Sequence, residues 1–175
     1  MVPEPGGALL ELYDSALPEV YGYLLARCRQ PALAEDLTSE TFLAAVDALG
    51  KSPPVELTTG WLIGVARHKL VDHWRRTERD ERRLRLLAEA HTECTDPWEG
   101  ELDALLAKQV LARLGAQHRA ALTLRYLDGL GVAEVAEHLG RTLHATEALL
   151  VRARNAFRQS YADRNRPGTE GRAGR

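Results

Sequence analysis

The segment WLIGVARHKLVDHWRR, Trp61 to Arg76, is written with a helical period. Leu62, Ile63, Ala66, Leu70 and Trp74 recur on one side, and His68, Asp72, Arg75 and Arg76 fall on the other, continued by Arg79 and Arg83. This spacing predicts a single amphipathic helix. Thr58 or Thr59 supplies its N-cap, and the pattern carries on to about Leu87. One face is apolar enough to bury. The other is basic and polar, suited to a negatively charged partner.

On either side of this helix the sequence stays helical, with no convincing alternation of the kind strands need. Leu9 to Arg29 predicts a first helix, broken near Pro18. Pro31 starts a second, amphipathic from Ala34 to Leu49 through Leu37, Thr41, Ala44, Ala45 and Ala48. Gly50-Lys-Ser-Pro-Pro54 reads as a loop, because two prolines cannot continue a helix. Residues 88–101 read as a flexible acidic linker, with the Asp96-Pro97 step and Gly100 as breakers and Glu89, Glu93, Asp96, Glu99 and Glu101 as its charge. Helices then resume at Leu102–Leu114, Gln117–Leu127, Val132–Leu139 and Leu143–Tyr161. The polar, Gly-rich stretch 162–175 reads as a disordered tail. The expected fold is all-α: a helical bundle over 1–87 and a second small helical domain over 102–161, joined by the linker.

Composition narrows the classes. The chain has 175 residues, enough for one compact domain or two small ones, and its 45% apolar content is that of a globular protein. No apolar run approaches the ~20 residues of a membrane span, and the N-terminal MVPEPGGALLELYD has neither part of a secretory signal. Cys28 and Cys94, the two cysteines, fit reduced thiols in a cytoplasmic protein. The formal net charge of −2 conceals segregation. Residues 1–66 carry Arg27, Arg29 and Lys51 against nine carboxylates, whereas Arg67 to Arg85 and Arg152 to Arg175 are positive. Such a distribution suits a protein partner on one surface and a polyanion on the others.

Two further segments carry chemistry. In GVAEVAEHLGRTLHATEALLVRARNAFR, residues 131–158, a short helix is followed by a turn at Gly140 and a longer helix capped by Thr142. This is the grammar of a helix-turn-helix, with small Ala136 letting the helices approach. Arg152, Arg154 and Arg158 favour DNA over an ordinary helical hairpin. The earlier helix, ALAEDLTSETFLAAVDAL, projects Glu35, Asp36 and Glu40 at one-turn spacing. Alone it is a solvated face; beside the other two it becomes a candidate docking surface for a large basic protein.

AEDLTSETFLAA, WLIGVARHKLVDHWRR and LRYLDGLGVAEVAEHLG followed by VRAR together resemble the extracytoplasmic-function (ECF) sigma factors of bacterial RNA polymerase, group IV of the sigma-70 family. The likeness spans roughly residues 9–160, in the family's order. It implies a sigma-2-like domain that binds core polymerase and melts the −10 element, and a sigma-4-like domain that reads −35. It also implies core polymerase (the clamp coiled coil of the largest subunit, and the flap), promoter DNA and an anti-sigma factor as partners. Carried over by position, Glu35, Asp36, Leu37, Glu40 and Phe42 match the core-binding helix, although Leu37 and Phe42 can equally be core packing. Trp61, Arg67, His68, Lys69, Asp72, Arg75, Arg76 and Arg79 fall on the −10 segment, where Trp61 and Trp74 are either stacking platforms or core aromatics. His68 stands where the family often has Asn.

At −35 the resemblance is looser. Where the family has a Thr-Val-Lys-Ser-Arg-like run, this chain has Ala145-Thr146-Glu147-Ala148-Leu149. Arg141, Thr142, His144, Thr146 and Glu147 are the candidate readers, with Arg152 and Arg154 on the backbone. A carboxylate at Glu147 repels phosphate but can accept from cytosine N4, so an unusual −35 sequence is expected.

Enzymatic motifs are missing: there is no Gly-rich phosphate loop, nucleophile elbow or HExxH. His91-x-x-Cys94 is half a zinc site at best, and adjacent Glu35 and Asp36 point apart on a helix. No cofactor, metal, small-molecule substrate or catalytic residue is therefore expected. The rival readings are a stand-alone helix-turn-helix regulator, which leaves the first two helical motifs idle, and a helical enzyme, which has no site.

Overall fold

The computed structural model describes residues 5–51, 55–85 and 103–165. It contains α1 (Pro5–Cys28), α2 (Pro31–Leu49), α3 (Thr59–Arg85), α4 (Ala104–Arg113), α5 (Ala116–Leu122), a π-helical turn (Thr123–Leu127), α6 (Val132–Leu139) and α7 (Leu143–Asn165). Among the described residues there is no strand, and the all-α expectation is met. The chain divides into two compact units, Met1–Asp80 and Glu81–Arg175. The acidic stretch 88–101 and the end of the tail lie outside the described residues.

In the first unit, α1 and α2 pack on one another. Ala16, Val20, Leu24 and Cys28 make a buried stripe at four-residue steps on α1. Ala34, Leu37, Thr38, Thr41, Phe42, Ala45 and Ala48 are the buried positions of α2. Two of these are polar, and each threonine hydroxyl donates to the carbonyl one turn back, Thr38 to Ala34 at 2.6 Å and Thr41 to Leu37 at 2.7 Å. Tyr13 meets Phe42 edge-on, ring centroids 4.7 Å apart. Pro31 occupies the first turn of α2, where a missing N–H costs nothing.

The expected break at Pro18 does not occur. α1 runs through it, and begins earlier than its periodicity suggests. Pro18 is on the solvent side, so the carbonyl it leaves without a donor faces water and the helix continues.

α3 buries Leu62, Ala66, Leu70, Val71 and Trp74, the apolar side of its sequence pattern with Val71 added and Ile63 only half-buried. Thr58 provides the N-cap, accepting from the Trp61 N–H at 3.1 Å. An ion pair of 3.3 Å from Lys69 Nζ to Glu40 Oε2 ties α3 to α2.

The second unit is built around α7, which packs against α4, α5 and α6. Val110, Leu114, Ala120, Ala121, Leu124, Val135, Leu139, Leu149, Leu150 and Ala153 are buried in it. Asp103 caps α4, its Oδ1 accepting from the Leu105 and Leu106 N–H groups at 2.8 and 3.1 Å. The Asp103 N–H in turn donates to the Tyr161 hydroxyl at 2.9 Å, fastening the start of α4 to the end of α7. α7 continues four residues beyond Tyr161, to Asn165, into the stretch whose composition reads as a disordered tail. Arg164 accounts for part of that extension by donating to Gln109 Oε1 at 3.1 Å.

The helix expected over Gln117–Leu127 is also not uniform. After Leu122 it widens by one residue per turn, marked by the Asp128 N–H reaching the Thr123 carbonyl at 3.0 Å. The connection from α6 to α7 is a Schellman turn. Gly140 takes φ 61°, its N–H donates to Glu137 O at 3.0 Å, and the Arg141 N–H donates to Ala136 O at 2.9 Å. A left-handed residue is required there, and glycine adopts that conformation without a Cβ penalty.

Candidate nucleic-acid interface

In the first unit the outer side of α3 is a row of charge. His68, Asp72, Arg75, Arg76 and Arg79 are exposed, and Arg67, Lys69 and Trp61 are half-buried. Not all of this charge is uncommitted. Asp72 pairs with Arg75 at 3.7 Å, Lys69 pairs with Glu40, and Arg79 Nε donates to the Arg75 carbonyl at 3.3 Å. His68 Nδ1 lies 2.8 Å from the Gly64 carbonyl. A carbonyl only accepts, so the neutral ring carries its proton on Nδ1. Trp74 is in the core and stacks on no base, whereas Trp61 keeps partial access to solvent.

The acidic helix is rearranged relative to expectation. Glu35 and Asp36 are exposed, but Leu37 and Phe42 are core residues, so the packing alternative holds for both. Glu40 faces Lys69. The outward side of α2 instead carries Leu43, 65% exposed, and Val46, 54% exposed. With Asp36 and Ser39 they form a stripe at intervals of three and four residues, the spacing with which one helix engages a coiled coil. Leu43 and Val46 are absent from the sequence-derived set. Their signal is present in the sequence, as two apolar residues three apart outside the inward stripe.

In the second unit, α7 begins at the helix-turn-helix corner. Thr142 caps it, its Oγ1 accepting from the Ala145 N–H at 3.2 Å. Arg141 reaches Gln117 Oε1 at 3.3 Å and is half-buried. Thr146, expected among the readers, is fully buried and donates to the Thr142 carbonyl at 2.9 Å. Buried in this way it is a core residue rather than a reader of bases. Leu149, which by position replaces a surface cation, is also in the core. The exposed side of the first turns is Leu143, His144, Glu147, Ala148, Val151 and Arg152. Arg154 points elsewhere. Together with Lys108 and Arg158 it borders an apolar cavity of about 430 Å³, whose other lining includes Leu111, Leu122, Leu127 and Phe157. The π-helical turn brings Tyr126 and Leu127 to this cavity, a placement that a regular period does not encode.

Among the described residues no group of His, Cys, Asp and Glu is placed to hold a metal, and no helix is long and apolar enough to cross a membrane. One unit presents a basic helix face and the other a helix-turn-helix, and the chain is of the all-helical class. Known proteins sharpen that class. Residues 12–80 match the family model of sigma-70 region 2, and residues 104–157 match that of sigma-70 region 4. The chain is 35% identical to the ECF RNA polymerase sigma factor BldN of Streptomyces coelicolor, over 81% of this chain and 56% of that protein, so it spans little more than half of BldN's length. It is 30% identical to the probable RNA polymerase sigma-C factor of Mycobacterium bovis, over 86% of this chain and 82% of that protein. The fold resembles that of sigma factor RpoE in its co-crystal structure with the anti-sigma factor NepR from Bartonella quintana. There the TM-score is 0.51 and the identity 21%, covering 88% of this chain and 96% of the other. The chain belongs to the ECF sigma factors of the sigma-70 family.

Proposed function

We propose that this protein is an alternative sigma factor that binds core RNA polymerase in the cytoplasm and directs promoter-specific initiation under the control of an anti-sigma factor. The observation that carries this reading is the occurrence, on one chain and in the family's order, of a region 2 unit and a region 4 helix-turn-helix. Catalysis belongs to the polymerase, and the factor supplies promoter choice.

Within that reading each surface has a task. The Asp36–Ser39–Leu43–Val46 stripe docks the clamp coiled coil, apolar contacts giving affinity and the carboxylates orientation. The outer face of α3, with Arg67, His68, Arg75, Arg76 and Arg79, receives the −10 region. Its arginines contact phosphate and position the DNA, while His68 and half-exposed Trp61 lie where an unpaired base can meet them. The exposed start of α7 enters the major groove at −35. The cavity bordered by Lys108, Arg154 and Arg158 receives an amphipathic helix with acidic flanks, assigned to the polymerase flap. An anti-sigma factor acts by occupying these same docking surfaces.

The test is reconstitution. Purified protein mixed with bacterial core polymerase is expected to give a one-to-one complex that starts transcripts at discrete sites on genomic fragments. Tight binding to duplex DNA without any affinity for core would instead identify a stand-alone regulator.

A further inference from the structure

Nine residues, Leu143 to Val151 (LHATEALLV), form the first turns of the recognition helix, and they contain no Lys, Arg, Asn or Gln. Those are the four side chains that make paired hydrogen bonds to purines: Arg and Lys to guanine O6 and N7, Asn and Gln to adenine N6 and N7. Of the nine, Thr146, Leu149 and Leu150 are buried. Ala145 is half-buried, and the exposed residues are Leu143 at 51%, His144, Glu147, Ala148 and Val151 at 46%. Three of these five are apolar, Glu147 is an acceptor, and His144 offers one ring nitrogen at a time rather than a paired contact. The cations nearest in sequence flank the face: Arg141, tied to Gln117, and exposed Arg152.

A protein contact would also suit three apolar side chains. DNA is favoured because the face is continuous with the helix-turn-helix corner. It opens at a capped helix N-terminus suited to phosphate and closes at an exposed arginine, so its rim is complementary to a duplex even though its centre is not basic. In the major groove, the base feature that matches an apolar side chain is the thymine C5-methyl group. The feature that matches a carboxylate is the cytosine N4 amino group.

Resting on the sigma-factor reading, we infer that the −35 contact of this protein is a pyrimidine reader. Leu143, Ala148 and Val151 pack on thymine methyls, and Glu147 accepts from a cytosine N4, so the contacted strand carries a run of T and C. Sequence choice here comes from apolar burial and one carboxylate rather than from arginine.

The test uses holoenzyme assembled from the full chain and core polymerase. Promoters selected from a library randomised upstream of a fixed −10 region are expected to carry T and C on one strand of the −35 duplex. Replacing a contacted thymine by uracil removes only the methyl, and should weaken promoter occupancy by about fourfold per position. Val151→Ala should lose sensitivity to uracil at one position while keeping the wild-type melting temperature. Glu147→Gln should shift preference from C towards A at another. Selected sites that mix purines and pyrimidines on each strand of the −35 duplex, or uracil templates bound as well as thymine ones, would overturn the inference. So would the finding that Val151→Asp dissolves a self-associated form while uracil has no effect, which would make the face a protein contact. If holoenzyme never assembles, the sigma-factor reading itself falls and takes this inference with it; normal initiation with no uracil effect removes the pyrimidine reader alone.

Discussion

At the residue level, burial separates side chains that the sequence places side by side. Thr146 and Glu147 are neighbours on the recognition helix, yet Thr146 is sealed in the core and Glu147 faces solvent. Thr146→Val is therefore expected to leave −35 selectivity unchanged in run-off assays, and to alter stability by no more than about 1.5 kcal/mol, since its hydroxyl donates to a carbonyl of its own helix. Leu149 gives the sharper contrast. Aligned with the family it resembles a missing surface cation, but Leu149→Lys would bury a charge in the core of the second unit. A loss of roughly 3 kcal/mol or more is expected in urea unfolding followed by a probe in that unit. A stable Leu149→Lys variant with improved DNA affinity would contradict this placement. In the first unit, Trp74→Ala should cost about 3–5 kcal/mol as a core truncation.

At the level of elements, α2 and α3 show how a face is shared. Glu40 and Lys69 look from sequence like members of two different surfaces, one for protein and one for DNA. They in fact pair across α2 and α3 with both side chains partly exposed, an interaction worth about 0.2–1 kcal/mol. The docking side proposed for α2 is therefore left with Asp36, Leu43 and Val46. Leu43→Asp combined with Val46→Asp is expected to abolish core binding in pull-down while leaving the thermal transition in place, because both residues already face water. Retained binding would remove this stripe from the interface. Helix periodicity alone made the inward stripes of α2 and α3 legible at Leu37, Thr41, Ala45, Ala48, Leu62 and Leu70, although Ala44 is only half-buried. It could not show that Phe42 packs against Tyr13, that Pro18 sits harmlessly on the wet side of α1, or that the chain widens into a π-helical turn at Thr123. Those outcomes depend on which side of a helix meets a neighbour, a property of packing rather than of spacing. The Gly140 turn was legible because its backbone demands a left-handed residue. Gly140→Ala should cost about 1–2 kcal/mol in the stability of the second unit.

At the level of the molecule, the −2 net charge divides into faces of opposite character. Acidic and apolar groups lie on α2, arginines on α3, and the exposed side of the first turns of α7 is nearly free of cations. The electrostatic share of promoter binding should consequently reside in the first unit. Arg75→Ala together with Arg76→Ala is expected to flatten the dependence of log affinity on log salt, by up to about 0.9 for each phosphate no longer neutralised. Substitutions at Leu143 or Val151 should leave that slope alone. The order of the two units along the chain was readable from three short motifs. The apolar cavity between α4 and α7 was not, because its lining comes from residues dispersed between Ala107 and Arg158. Whether these faces serve one polymerase is decided by transcription reconstituted from purified components. This protein with core polymerase is expected to form a stoichiometric complex and to produce transcripts from discrete promoters, and Leu43→Asp with Val46→Asp is expected to eliminate both. Transcription unaffected by that double substitution would contradict the docking surface, and a protein that never binds core yet holds duplex DNA tightly would contradict the whole.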